Sequence, residues 1–144
     1  MNATPAGSRG MSQSAEAGPL GTVLVVEDEE GIRLLIDDVL QELGFTVLVA
    51  TDGAGAMEHL RGTVPIDLLI TDIGLPGGMN GRQVADAARA INPGLPVLIM
   101  TGFAGADIAD HARLQRGVSV LTKPFTMAAL TGRIQQLLGQ PPAR

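Results

Sequence analysis

The chain has no cysteine, no tryptophan and no tyrosine, and three phenylalanines are its only aromatic side chains. Without thiols it forms neither a disulfide nor a thiolate metal site, and it offers no cysteine nucleophile. That usage fits a reducing compartment, so a cytoplasmic location is expected. So few aromatics leave no stacking platform for single-stranded nucleic acid. Lys and Arg number 10 against 15 Asp and Glu, for a formal net charge of -5. The basic residues are scattered, and no basic stripe marks a nucleic-acid surface. No apolar run approaches the roughly 20 residues of a membrane span, and the N-terminus carries no hydrophobic signal segment. Neither a nucleic-acid nor a membrane partner is expected.

What is present is enough for one domain. Hydrophobic residues make up 45% of 144, a composition that folds around a core. Residues 1 to 20 are mostly Ala, Gly, Ser and Pro without periodicity, and are expected to form a disordered tail. The folded domain is expected over 21–139, with a short tail at 140–144. Thr22 to Val26 is a continuous run rich in β-branched residues, the pattern of a strand covered on both faces. From Glu29 to Leu43 the apolar residues Ile32, Leu35, Ile36, Val39, Leu40 and Leu43 recur at steps of three and four, which predicts an amphipathic helix. Gly44 is placed to end it.

The same rhythm repeats. Strands are predicted over 45–50, 67–71, 97–100 and 118–121. Helices are predicted after Asp52 and Asn80, over 106–116, and after Thr126, where these polar residues can cap the first turn. Asn92-Pro93 must stop the helix that Asn80 begins. Strands alternating with helices in this way predict an α/β domain, a doubly wound parallel sheet with right-handed crossovers. No longer internal repeat is present.

In a parallel sheet the C-terminal ends of all strands share one edge. That edge collects Glu27, Asp28 and Glu29, then Asp72, Thr101, Thr122 and Lys123. Clustered carboxylates repel one another unless a cation intervenes. Hard oxygen ligands suit Mg²⁺, which takes one or two carboxylates together with phosphate oxygens. Lysine brings a point charge for a phosphoryl oxygen, and an aspartate can itself be the nucleophile. The set is sufficient for metal-assisted phosphorylation of one carboxylate. Asp72 is the best candidate, because it directly follows a central strand and opens a loop of small residues.

Four stretches, Val25-Val26-Glu27-Asp28-Glu29, Thr71-Asp72 with Pro76 and Gly81, Met100-Thr101-Gly102 and Leu121-Thr122-Lys123-Pro124-Phe125, together resemble the receiver domain of two-component response regulators. The resemblance covers about residues 22–138. It implies a flavodoxin-like (βα)5 fold with strand order 2-1-3-4-5. It also implies a phosphoryl group passed to Asp72 from a histidine kinase or histidine phosphotransfer protein, with Mg²⁺ as cofactor. Glu27, Asp28, Asp72 and the Gly74 backbone carbonyl match the metal site, and Thr101 and Lys123 match the phosphoryl-contacting pair. The chain would then catalyse only its own phosphotransfer and dephosphorylation and would signal to an unknown downstream protein. Two forms are consistent with the resemblance, a free-standing module and a receiver of a hybrid kinase. The last helix lacks an obvious charged dimer face, which points to a monomer.

Departures from that pattern are specific. The family's inward-rotating aromatic, three residues before the lysine, is Val120 here, which cannot make the swing. Phe103 is the nearest aromatic and a candidate substitute, so Thr101, Phe103 and Val120 are the switch candidates. Phosphorylation is expected to move the loop after the fourth strand and the weak helix at 106–116. The loop from Asp72 to Gly81 is one residue longer than the common form, and its extra glycine is expected to loosen it. The alternative function is a phosphoaspartyl hydrolase of the haloacid dehalogenase kind, which requires a second acid two residues after the nucleophile. That position is Gly74. Gly53-Ala54-Gly55 lacks the third glycine of a dinucleotide fingerprint. His59 and His111 have no acid pair around them and read as surface residues.

Overall fold

The computed structural model describes residues 20–102 and 116–139. The tail, the segment carrying Phe103, His111 and most of the 106–116 helix, and the last residues lie outside them. In chain order the elements are β1 (Thr22–Val26), α1 (Glu30–Leu43), β2 (Thr46–Ala50), α2 (Gly53–Leu60), β3 (Leu68–Asp72), α3 (Gly81–Ile91), β4 (Val97–Thr101), β5 (Val118–Thr122) and α4 (Met127–Leu137). All five strands are parallel, in the order β2-β1-β3-β4-β5, as the strand pattern and the resemblance imply. The reversal of strand order falls between β1 and β3, where open α/β sheets bind ligands at their carboxyl ends.

Alternation along the strands separates two cores. Leu24 and Val26 of β1, Leu69 of β3 and Val97 and Ile99 of β4 face α2 and α3. Val23, Val25, Leu68, Ile70, Leu98 and Met100 point the other way, onto Ile36, Val39 and Leu40 of α1 and Leu130 and Ile134 of α4. Every residue of β1, β3 and β4 is buried. Each fully buried Val, Leu or Ile contributes about 1.5–3 kcal/mol from the area it removes from water, so these central strands anchor the domain.

The β2 strand differs. It stands at the sheet edge, and Val49 is largely exposed. His59, expected to be a plain surface residue, is half-buried, and its Nε2 lies 3.0 Å from the Val49 carbonyl. It satisfies an edge acceptor that lacks a strand partner, and blunts an exposed edge. At the opposite edge, Arg133 of α4 donates to the Val120 carbonyl at 2.7 Å and to Ser119 Oγ at 2.9 Å. The Val120 side chain is buried in the core on the α2 and α3 side, a fixed packing residue rather than a movable one.

Three strand ends run one residue further than the apolar pattern predicts. Asp72, Thr101 and Thr122 are the last residues of β3, β4 and β5 rather than the first of their loops. The ladder continues past the apolar run, with Ile73 N–H donating to the Met100 carbonyl and Lys123 N–H to that of Thr101. At two other strand starts the apolar run overreaches: Phe45 is buried but precedes β2, because its N–H closes the α1 terminus on the Leu40 carbonyl, and Asp67 precedes β3.

The loop between β3 and α3 is closed at its end by a backbone hydrogen bond. Gly81 N–H donates to the Ile73 carbonyl at 2.8 Å, and Gly77 and Gly78 both take left-handed φ, 89° and 96°, which glycine adopts without penalty. Asn80 completes a capping box: its side chain accepts from Gln83 N–H at 2.8 Å while Gln83 Oε1 accepts from Asn80 N–H at 2.9 Å. Removing such a cap costs about 1 kcal/mol. Asn80→Ala is therefore expected to lower the unfolding free energy by that amount, seen as a lower urea midpoint with an unchanged slope of the transition. An unchanged midpoint would mean that the box contributes nothing.

Candidate acidic site at the sheet edge

The functional side chains sit where β1, β3 and β5 end. Glu27 follows β1 directly, and its N–H donates to the Ala50 carbonyl of β2, so the backbone still runs with the sheet and turns the side chain inward. Glu27 is fully buried, Asp72 nearly so, and Asp28 is exposed. One carboxylate oxygen from each of the three lies within 4.8 Å of the others. Lys123, just past β5, reaches both buried acids, with Nζ 2.9 Å from Glu27 Oε1 and 3.1 Å from Asp72 Oδ2. It precedes Pro124 through a cis peptide bond. The structure thus brings Glu27, Asp28, Asp72 and Lys123 together, as their positions in the sequence imply.

Burial and charge oppose each other here. Loss of water around Glu27 pushes its carboxyl above the ordinary range, and the Asp72 charge adds to this. The Glu29 N–H, donating at 3.0 Å, and the Lys123 ammonium pull against it without cancelling it. For Lys123, burial lowers the pKa, but its hydrogen bonds to Glu27 and Asp72 outweigh burial and hold the ammonium above its ordinary value. The two directions share one origin. A buried carboxylate without a counterion costs several kcal/mol, and the half-buried Lys123 supplies the cation within bonding distance.

Thr101 is buried, and its hydroxyl donates to the Gly102 carbonyl at 2.8 Å. Its place is fixed by register: Asp72 pairs with Met100, so Thr101 stands one residue beyond, at the same edge. Gly74 is exposed, with open space where a Cβ would point. It offers no carboxylate for the second acid that the dehalogenase-like alternative requires, and that alternative finds no support. Gly53 is explained by packing, since a Cβ there would run into the Met79 side chain. Phe103 lies outside the described residues.

Two contacts near the site lie beyond what strand-end position implies. Arg33 Nη1 donates to the Glu27 carbonyl at 3.2 Å, tying the acidic turn to α1. Helical side chains lean toward the N-terminus, so an arginine one turn into the helix was placed to do this. Glu29 is the N-cap of α1 but makes no side-chain cap hydrogen bond. Its Oε1 lies 4.0 Å from Lys123 Nζ. Beside it opens a cavity of about 450 Å³ lined by Glu29, Ile32, Leu35, Lys123, Pro124 and Phe125. This explains why Leu35, on the apolar stripe of α1, is not in the core.

The donor set fits Mg²⁺. It is all oxygen, it offers two or three carboxylates, and it leaves an exposed side for waters. Among the described residues no helix is long and apolar enough to cross a membrane.

Known proteins are similar to this chain in sequence and fold. Residues 23–135 match the family model of the response regulator receiver domain. The chain is 34% identical over 116 residues to the response regulator receiver protein CpdR of Brucella abortus, an alignment covering 81% of this chain and 95% of that one. It is 37% identical over 121 residues to the response regulator protein FleR of Pseudomonas aeruginosa, covering 83% of this chain but only 25% of that longer protein. Among solved structures, a response regulator receiver protein from Sinorhizobium medicae superposes with a TM-score of 0.77 at 35% identity, covering 88% of this chain and 98% of the other. With a family-model match over most of its length and relatives above 30% identity covered almost end to end, the chain belongs to the response regulator receiver domain family, a signalling module of two-component systems.

Proposed function

We propose that the chain is a phosphoacceptor module in which Asp72 takes a phosphoryl group from the phosphohistidine of a kinase or phosphotransfer protein. The observation that carries this reading is the pairing of a nearly buried Asp72 carboxylate with the Lys123 ammonium at 3.1 Å, beside two further acids. A carboxylate oxygen of Asp72 forms the bond to phosphorus as the bond to the donor nitrogen breaks. Lys123 shifts from carboxylate to phosphoryl oxygen, keeping its charge next to the group that gains charge. The Thr101 hydroxyl turns from the Gly102 carbonyl to another phosphoryl oxygen. Glu27, Asp28, Asp72 and the Gly74 carbonyl would hold Mg²⁺, which would supply positive charge against the phosphoryl oxygens. The chain catalyses only its own phosphorylation and dephosphorylation, in the cytoplasm, and its output is a contact with another protein. With Val120 locked in the core, reporting of the phosphoryl group falls to Thr101 and the segment that follows it.

Intact-mass measurement after incubation with acetyl phosphate and Mg²⁺ tests this reading. One phosphoryl group per chain is expected. Steady release of phosphate from an external phosphomonoester, without a labelled protein, would overturn it in favour of a hydrolase.

The metal assignment has its own test. A ligand present at about ten times its Kd stabilises the folded state by about 1.4 kcal/mol, which raises Tm by roughly 3–8 °C in a domain of this size. Mg²⁺ is expected to produce such a rise in the wild type, reversed by a chelator. Asp28→Asn is expected to lose most of it. An equal rise in both proteins would remove Asp28 from the metal site.

A further inference from the structure

Glu29 is the acid that the site does not otherwise use. Its carboxylate caps nothing, although it occupies the N-cap position of α1, and it is not among the carboxylates grouped tightly enough to hold one ion. It is 67% exposed while Lys123 behind it is 18% exposed, so it stands on the solvent side of the lysine at 4.0 Å. Glu27, Glu29 and Asp72 lie within 4.0 Å of the Lys123 ammonium, and Asp28 joins Glu27 and Asp72 in the acidic group, so four carboxylates share this edge with one ammonium. A divalent cation leaves one negative charge uncompensated, and the carboxylate outside the ion's reach is Glu29.

We infer that Glu29 is a specificity-determining residue that selects phosphodonors by charge. This rests on the phosphoacceptor reading of Asp72. An anionic donor entering over Lys123 passes the Glu29 carboxylate before it meets the ammonium, and the penalty grows with the charge it carries. Small dianionic phosphodonors are disfavoured relative to donors of lower charge, including a phosphoryl group delivered on a protein that brings its own positive charge to the mouth. The chemistry is unchanged by the filter. An Asp72 oxygen forms the new P–O bond. Acetyl phosphate breaks its P–O bond and releases acetate with the electron pair, and phosphoramidate breaks its P–N bond and releases ammonia.

These two donors test the inference, because at neutral pH acetyl phosphate is a dianion and phosphoramidate a monoanion. At low salt, Glu29→Gln is expected to raise the second-order rate of labelling by acetyl phosphate about threefold and that by phosphoramidate less than about twofold, the size of one screened charge at the rim. Glu29→Lys should extend the acetyl phosphate gain to about tenfold, while Glu29→Asp, which keeps the charge, should retain the wild-type donor ratio. The differences should collapse near 1 M salt, where the screening length falls to about 3 Å. Equal changes for both donors, no change for either, or an effect of the substitution on donor preference that survives high salt would each overturn the filter while leaving Asp72 phosphorylation in place. Wild-type protein that takes no label from either donor would bring down the phosphoacceptor reading and the filter together.

Discussion

Asp72→Asn is expected to abolish labelling by acetyl phosphate and Mg²⁺ while leaving the domain folded. Asparagine has the shape of aspartate, and its amide oxygen can still accept from Lys123 Nζ, which donates to Asp72 Oδ2 at 3.1 Å in the wild type. The carboxamide is not a nucleophile, so the loss should exceed the roughly 10²–10³-fold that follows removal of a single transition-state donor. No neighbour is placed to replace it. Glu27 is fully buried and engaged by Lys123 and by the Glu29 N–H, and Asp28 is exposed to water. Stability should move the other way. The change removes one of three carboxylates held within 4.8 Å and leaves Lys123 paired with Glu27, so Tm without metal is expected to stay level or rise. Intact mass reads the first effect and thermal unfolding the second. Labelling at the wild-type level in Asp72→Asn would sink the assignment. Loss of label accompanied by loss of folding would show that Asp72 serves structure instead.

Why so much of this site was legible lies in the parallel sheet. The runs Thr22–Val26, Leu68–Ile70 and Val97–Met100 could be read as buried strands because both faces are covered and no alternation dilutes them. Once the strands are known to be parallel, a residue's position at a strand end fixes its edge, and Glu27, Asp28, Asp72 and Lys123 had to meet. What pattern reading misses is anything set by atoms rather than by periodicity. The Lys123–Glu27 ion pair joins residues 96 apart in the chain, and nothing local distinguishes it from a lysine facing water. His59 ties down the edge strand through one carbonyl, which no acid pair or spacing announces. Glu29 looked like an ordinary first-turn acid, and only the missing cap bond and the distance to Lys123 separate it from one. The strand ends were placed a residue early because polar Asp72, Thr101 and Thr122 end the apolar runs while the backbone ladder continues beneath them.

Gly81 belongs to the same class of hidden constraint, and Gly81→Ala is expected to be the most damaging glycine-to-alanine change among the described residues. Its φ is not left-handed, so conformational freedom is not the reason for glycine. A Cβ at this position would overlap the Asp72 carbonyl oxygen and press on the Ile73 Cα. Those are backbone atoms, held by the Ile73 N–H to Met100 carbonyl and Gly81 N–H to Ile73 carbonyl hydrogen bonds. Neither can swing aside as a side-chain end would. Relief requires moving α3 or the end of β3, and overpacking of this kind costs about 1–3 kcal/mol or more. Gly74→Ala in the same loop is the control, since its Cβ would meet nothing within 4 Å, and a surface change of that sort stays within about 0.5 kcal/mol. Urea unfolding of the pair should separate them by about 1–3 kcal/mol. Because the displaced atom is Asp72's own carbonyl, Gly81→Ala should also slow labelling in whatever fraction remains folded, whereas Gly74→Ala keeps the backbone carbonyl assigned to the metal. If Gly81→Ala unfolds at the wild-type urea concentration, the close approach of α3 to the phosphoacceptor strand is not what holds Asp72 in place.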